Sequence, residues 1–375
     1  MRTATGPKTR RERGGRREDR RTPTAHVVKA PNMVQAAQAR AQEAGRVVVV
    51  HSGASWNSGG GGQRPQQIAE EFEREACVVH LNYGNPRRIQ QPVVSTVVAG
   101  MAGAEQWFRL QARHCVLYSS FPDAALWNLL AELPTNWAFW YDCVDDWGDF
   151  ERNSWFSVRR EQAVARRADL LTATSHYLVE HLQRMEHPAV EAHFLPNSTR
   201  LLSQPVPAER EPEFDCVFVG WMADNWFDWE LVQAVLDAGY SLRLIGKPPR
   251  EGHPFEHRAL DWRGEVPNTR LREELACARV GLVPFRDMPL VHAVWPIKYA
   301  DYLAAGMPTV AAHIHELRGA PYCTVTATTE EFLAAIGDAV DGAHDRAAIM
   351  QVAEQHTAHR RIAQAQGWLE EVGAW

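Results

Sequence analysis

The chain has 375 residues, with Lys+Arg 40 against Asp+Glu 46 and a formal charge of −6. At roughly 150 residues per domain, that length accommodates two domains with extras and ample core. A composition of 45% apolar and 23% charged residues excludes a wholly disordered, collagen-like or coiled-coil chain, and no apolar run approaches the ~18 residues that a membrane span needs.

The charge is unevenly placed. Residues 1–25 hold nine basic groups and three acidic ones, so they carry +6 and the other 350 carry −12. Residues 1–32, with Pro7, Gly14, Gly15, Pro23 and Pro31 among the charges, have no apolar period and read as a disordered basic tail. No apolar h-region follows, so the tail is not a secretory signal and the expected compartment is the cytoplasm. Contact with an anionic membrane face, with nucleic acid, or plain solubility are the alternatives for the tail.

Residues 33–43 predict a short helix stopped by Gly45. The run Val47, Val48, Val49, Val50 is apolar throughout, as expected of a strand buried on both faces of a parallel sheet. It ends at His51 and is followed by four glycines at 59–62, then by a helical pattern over 63–74 with Pro65 in its first turn. Strand, glycine loop, helix is a unit that recurs. Strand patterns at 77–81, 93–98, 115–118, 138–141 and 170–173 alternate with helix-length segments, and Ser175 is placed to cap a helix through Met185. Alternation of this kind means βαβ units in a doubly wound sheet.

Residues 198–213, with Pro205, Pro207 and Pro212, read as a linker. A second α/β series follows, with strands at 216–219, 242–245, 280–283 and 309–312, helices at 226–238, 269–278 and 297–305, and a mostly helical end from 330. The expected organisation is therefore a tail over 1–32, a Rossmann-like domain over 33–204, a second over 205–345, and C-terminal helices over 346–375 that pack back toward the first domain.

The six cysteines occur singly and the sixteen histidines show no H-E-x-x-H or finger spacing, so buried reduced thiols and no structural metal are expected. Of the fourteen tryptophans, seven form two groups, Trp137, Trp140, Trp147 and Trp155 and then Trp221, Trp226 and Trp229. Trp226 and Trp229 at i,i+3 fit a core face, whereas Trp147 flanks an acidic segment and is a candidate acceptor contact.

The segment Trp295-Pro296-Ile297-Lys298-Tyr299-Ala300-Asp301-Tyr302-Leu303-Ala304-Ala305-Gly306-Met307-Pro308-Thr309-Val310 resembles the P-x-K-x-x-E-Y-L-A-x-G-x-P-V-V stretch of bacterial GT-B glycosyltransferases. Phe218-Val219-Gly220, Arg263-Gly264-Glu265-Val266-Pro267 and Leu195-Pro196-Asn197 resemble the F-V-G, x-G-x-V and L-P-N-G pieces of the same enzymes, in the same order. Upstream, Tyr141-Asp142-Cys143-Val144-Asp145-Asp146 and the stretch from Ala168 to Ser175 resemble their Y-D-x-x-D and A-D-x-v-x-a-T-S segments. The resemblance covers about residues 46–340.

It implies an α/β GT-B fold of two Rossmann-like domains facing across a cleft, and transfer of a sugar from a nucleotide-diphosphosugar to an acceptor hydroxyl without a metal or other cofactor. The donor site it implies comprises Gly60 and Gly61 of the glycine loop with Gly220, Lys247, Val266, Pro296, Lys298 and Asp301. The chemistry at these positions agrees. A diphosphate needs cations and free N–H groups, which Lys298 and a helix start provide; Asp301 can accept hydrogen bonds from ribose hydroxyls. Taken alone, Lys298 and Asp301 at i,i+3 also fit a surface ion pair, and the glycine run a flexible turn.

Asp145, at the carboxyl edge of a predicted strand, is the first candidate for the base, with Asp142, Asp146 and His51 as fallbacks and Asp146 beside Trp147 also a candidate acceptor contact. One departure concerns Glu-x7-Glu, common in retaining members: Ala293 stands where the first Glu belongs, and His292 or Asp287 are the neighbours that could replace it. An epimerase or phosphorylase of the same shape and a degenerate binding protein are the alternatives. The acceptor could be a glycan, a lipid-linked or small molecule, or a DNA base modified by a phage-type enzyme.

Overall fold

The computed structural model describes residues 30–53, 64–83, 96–150, 154–185, 190–206, 211–223, 225–249, 254 and 256–375. The expectations placed on residues 1–29, on Gly60 and on Gly61 lie outside them. The first helix begins at Ala30, three residues before the expected start.

In chain order the first half comprises α1 (Ala30–Ala44), β1 (Arg46–His51), α2 (Arg64–Phe72), β2 (Cys77–Asn82), β3 (Val97–Gly100), β4 (His114–Ser119), α3 (Ala124–Ala131), β5 (Ala138–Cys143), α4 (Val158–Ala165), β6 (Leu170–Ala173), α5 (His176–Arg184) and β7 (Ala192–Phe194). The second comprises β8 (Phe214–Val219), α6 (Trp229–Asp237), β9 (Leu242–Ile245), β10 (Leu260–Gly264), α7 (Leu271–Leu275), β11 (Ala278–Val283), α8 (Pro289–His292), α9 (Ile297–Ala304), β12 (Thr309–Ala312), β13 (Cys323–Thr326), α10 (Thr329–Asp341), α11 (Arg346–Ala353) and α12 (Ala358–Glu371). The strands form two sheets, ordered β3-β2-β1-β4-β5-β6-β7 and β10-β9-β8-β11-β12-β13. Every strand pairing in both is parallel.

The valine run shows why the chain folds this way. Val47 and Val49 enter one apolar cluster with Ala37, Ala41 and Tyr141, while Val48 and Val50 enter another with Phe72, Trp140 and Trp375. A strand buried on both faces needs apolar side chains at every position, since successive residues point to opposite faces. The second cluster also holds Ile362 and Leu369 of α12, the C-terminal helix, which packs on α2 of the first domain. Trp375 meets Phe72 edge-on at 4.9 Å between centroids and lies under the Arg46 guanidinium at 4.6 Å.

Helix boundaries follow local chemistry. Gly45 (φ +67) closes α1. Asp123, Ser175 and Asp228 cap α3, α5 and α6 through hydrogen bonds to Leu126, Leu178 and Leu231 N–H. The helix expected over 269–278 is shorter, a 3₁₀ turn at Asn268–Arg270 followed by α7.

Candidate functional site

Both sheets turn their carboxyl edges to one cleft. It holds a cavity of about 810 Å³ lined from both domains, a size that suits a small-molecule ligand.

On the second domain, β8 and β9 end in glycines whose backbones are pressed together. Gly246 (φ +127) has no room for a side chain, because a Cβ there would lie 2.1 Å from the Gly220 carbonyl oxygen. A Cβ on Gly220 (φ +143) would sit 2.7 Å from Lys298 Cε and 3.0 Å from its Nζ. The absence of both side chains brings Lys298 against the backbone at the strand ends.

Lys298 is the second residue of α9, whose cap is Pro296, a residue with no N–H to leave unsatisfied. Its ammonium lies 5.5 Å and 5.6 Å from the Phe218 and Phe285 ring centroids. Burial lowers its pKa to about 8, and Asp301 pulls in the opposite direction. Asp301 is not its ion-pair partner: its carboxylate accepts the Thr199 hydroxyl at 2.7 Å, and burial pushes its pKa up to about 7. Among the described residues no carboxylate lies within 4 Å of Lys298 Nζ. The surface ion pair that the i,i+3 spacing allowed is therefore not formed. Lys247, exposed, holds its ammonium 5.7 Å from the ring of Trp221, and Val266 lies on the cavity wall.

On the first domain the cavity is lined by Gly53, Ser120, Phe121, Val144, Asp145, Trp147 and Thr174. Asp145 follows β5 by two residues and is half-buried. Burial and the neighbouring Asp146 push its pKa up to about 7, so it exchanges its proton near neutrality. Trp147 packs edge-on against Phe121 and Trp155 at 5.3 Å and 5.5 Å, and Phe121 stacks on Trp155 at 4.2 Å. Trp147 thus presents one edge of a rigid aromatic wall beside Asp145.

Three sequence candidates lie elsewhere. Asp142 is fully buried and takes the Arg64 guanidinium at 2.6 Å and 3.0 Å, the Tyr118 hydroxyl at 2.7 Å and the Thr172 hydroxyl at 2.6 Å. Those four hydrogen bonds occupy its oxygens, and it does not line the cavity; it anchors Arg64 rather than taking a proton. His51 is also fully buried, with Nδ1 2.9 Å from Ser119 Oγ and Nε2 2.9 Å from Tyr83 Oη. Burial lowers its pKa to about 4, and both nitrogens face protein groups away from the cavity. Asp146 turns from the cavity to accept the Tyr177 hydroxyl at 3.2 Å and the Gly148 N–H at 3.1 Å, so it shapes the turn and does not face a ligand.

The missing first Glu is not replaced. Ala293 is 2% exposed and belongs to the apolar cluster of the first domain. His292 pairs with Asp287 at 2.6 Å and stacks on His315 at 4.3 Å, and none of the three lines the cavity.

Sequence reasoning passed over Arg64, Arg200 and Phe121, all on the cavity wall. Arg64 had a readable signal, an arginine opening a helix after a glycine loop. Its pairing with Asp142, 78 residues away, had none. Among the described residues no group of three His, Cys, Asp or Glu side chains could hold a metal ion, and no helix is long and apolar enough to cross a membrane.

No protein-family profile matches the sequence, and no curated protein matches it. Solved structures do share the fold. HepE of Anabaena, solved with UDP and glucose, superimposes with a TM-score of 0.65 at 12% identity, over 86% of this chain and 99% of HepE. The lipopolysaccharide outer core galactosyltransferase WaaB gives 0.59 at 10% identity, over 87% and 99%. BGT of phage T4, a mutant solved with UDP-glucose, gives 0.51 at 10% identity, over 88% and 98%. These neighbours are GT-B glycosyltransferases, and this chain has the GT-B fold, two parallel-sheet α/β domains facing across a cleft.

Proposed function

We propose that the chain is a glycosyltransferase that moves a sugar from a nucleotide-diphosphosugar to an acceptor hydroxyl without a metal. The observation that carries this reading is Lys298. It is a half-buried cation with no carboxylate partner among the described residues, pressed against the Gly220 backbone at the start of α9 and facing the cavity. An unpaired cation in a partly dry site is costly unless an anion completes it. The cavity's volume and the helix start behind Lys298 fit a diphosphate with its sugar.

In this reading Gly220, Gly246, Lys247, Pro296 and Lys298 surround the diphosphate. Asp301 accepts hydrogen bonds from the ribose, and Val266 lies by the base. As the acceptor oxygen forms its bond to the anomeric carbon, Asp145 takes the hydroxyl proton; the bond from that carbon to the diphosphate breaks, and Lys298 stabilises the departing anion. A single displacement of this kind inverts the anomeric centre. Trp147 with Phe121 provides an apolar face for the acceptor. The HepE and T4 BGT structures were solved with UDP or UDP-glucose, which makes UDP-sugars the first donors to test.

The test is release of nucleoside diphosphate from UDP-, GDP-, dTDP- and ADP-sugars in the presence of an acceptor panel, with Asp145→Asn as the control. Turnover that the asparagine variant loses supports the reading. Equal turnover in both removes Asp145 from the chemistry.

A further inference from the structure

Besides the linker and the returning α12, side chains tie the two domains together close to the site, Asn197 through the Trp295 carbonyl and Glu316 through a helix start. Glu316 lies in the 3₁₀ turn His315–Leu317 that follows β12 of the second domain. Its two carboxylate oxygens accept the backbone N–H groups of His176 and Tyr177, each at 2.9 Å, and Oε2 lies 3.1 Å from His176 Nδ1. Those amides belong to the first two residues of α5 in the first domain, a nine-residue helix. The third, from Leu178, goes to the Ser175 cap at 3.1 Å. Free N–H groups at a helix start carry partial positive charge and attract a carboxylate. Here the carboxylate comes from the opposite domain, and its side chain is only 8% exposed.

The contact continues into the site. Tyr177, whose N–H Glu316 holds, donates its hydroxyl to Asp146 Oδ2 at 3.2 Å. Asp146 Oδ1 takes the Gly148 N–H, closing the turn that carries Asp145 and Trp147. From the same connection before α5, Thr174 donates its hydroxyl to the Val144 carbonyl at 3.2 Å. The segment 144–148 therefore hangs from the β6–α5 connection, and that connection is held by Glu316.

We propose that Glu316 is a positioning residue: it latches the second domain to the start of α5 and, through Tyr177 and Asp146, holds the turn that presents Asp145 to the cavity. The proposal rests on the reading of Asp145 as the base. The coupling itself is a property of the fold that is measurable without activity.

Glu316→Ala, Glu316→Gln and Tyr177→Phe in the full chain test it, by amide hydrogen exchange of residues 144–148 and 176–178, by kcat, and by UDP binding in calorimetry. Glu316→Ala speeds exchange in both segments and lowers kcat about tenfold, the effect of losing charge-assisted hydrogen bonds, while UDP affinity, set by the second domain, stays unchanged. Glu316→Gln, which keeps one acceptor oxygen, restores part of the protection. Tyr177→Phe keeps the latch and so speeds exchange at 144–148 only. Unchanged exchange at 144–148 in Glu316→Ala overturns the proposal. If the wild-type chain turns over no nucleotide-sugar, the functional reading fails, and the exchange measurements still decide the latch.

Discussion

Gly220 and Lys298 are made for each other: a single methyl group on Gly220 would lie 2.7 Å from Lys298 Cε. Gly220→Ala therefore displaces the ammonium from its place between the Phe218 and Phe285 rings, besides costing about 1–3 kcal/mol of backbone strain at φ +143. The expected result is a folded protein with nucleoside diphosphate affinity reduced at least about tenfold, measured by calorimetry. Lys298→Gln, which leaves the glycine intact, loses affinity to a similar degree.

Asp142 and Asp145 separate stability from chemistry. Asp142→Ala leaves the Arg64 guanidinium, 10% exposed, without its buried partner, and costs about 3–5 kcal/mol in denaturant unfolding. Asp145→Asn unfolds at nearly the wild-type midpoint and binds nucleotide, but its kcat falls by ~100- to 10,000-fold.

The same pair shows how much of the site was legible from sequence. Both carboxylates stand at the end of a strand in one short motif, and sequence periodicity assigns them the same edge. What distinguishes them is a guanidinium arriving from 78 residues away together with the Tyr118 and Thr172 hydroxyls, contacts that only the folded chain creates. His51 likewise sits at a strand end, where a ligand could reach it, yet β4 brings Ser119 onto its inner nitrogen. The strands buried on both faces, such as Val47 to Val50, were legible because their environment demands apolar residues throughout. β7 and β10 were not, since they are short or half-exposed and their composition, Ala-His-Phe and Leu-Asp-Trp-Arg-Gly, carries no strand period. The glycine signal at 220 and 246 was readable as strand-end glycines; the 2.1 Å approach that makes Gly246 obligatory was not.

The pH profile of kcat/KM follows from two shifted groups. Asp145, pushed up to about 7, acts as a base only when deprotonated, so the rate rises as pH passes through 7. Lys298, lowered to about 8, holds the diphosphate only when protonated, so the rate falls above 8. Asp301 ionises near 7 as well and adds to the acid limb. Lys298→Arg, whose guanidinium stays charged, abolishes the alkaline limb, and an initial-rate series from pH 5 to 10 at fixed ionic strength reads both effects, with these bounds about two units beyond the shifted values.

Trp147 is 6% exposed and part of the aromatic wall, so its removal costs stability as well as any ligand contact. Trp147→Phe keeps most of the packing. It is expected to raise the acceptor KM by about tenfold while leaving the donor KM within about twofold, on the scale of a lost aromatic contact, as steady-state kinetics with each substrate varied will show.

The central claim is that a nucleotide-diphosphosugar occupies the cavity with its diphosphate on Lys298. Calorimetric titration of the wild-type chain and of Lys298→Ala with UDP-, GDP-, dTDP- and ADP-sugars tests it most directly. The account predicts that the wild type binds at least one of these donors and that Lys298→Ala binds it at least about tenfold more weakly. Equal affinity in the two proteins, or no binding of any of the four by the wild type, would contradict it.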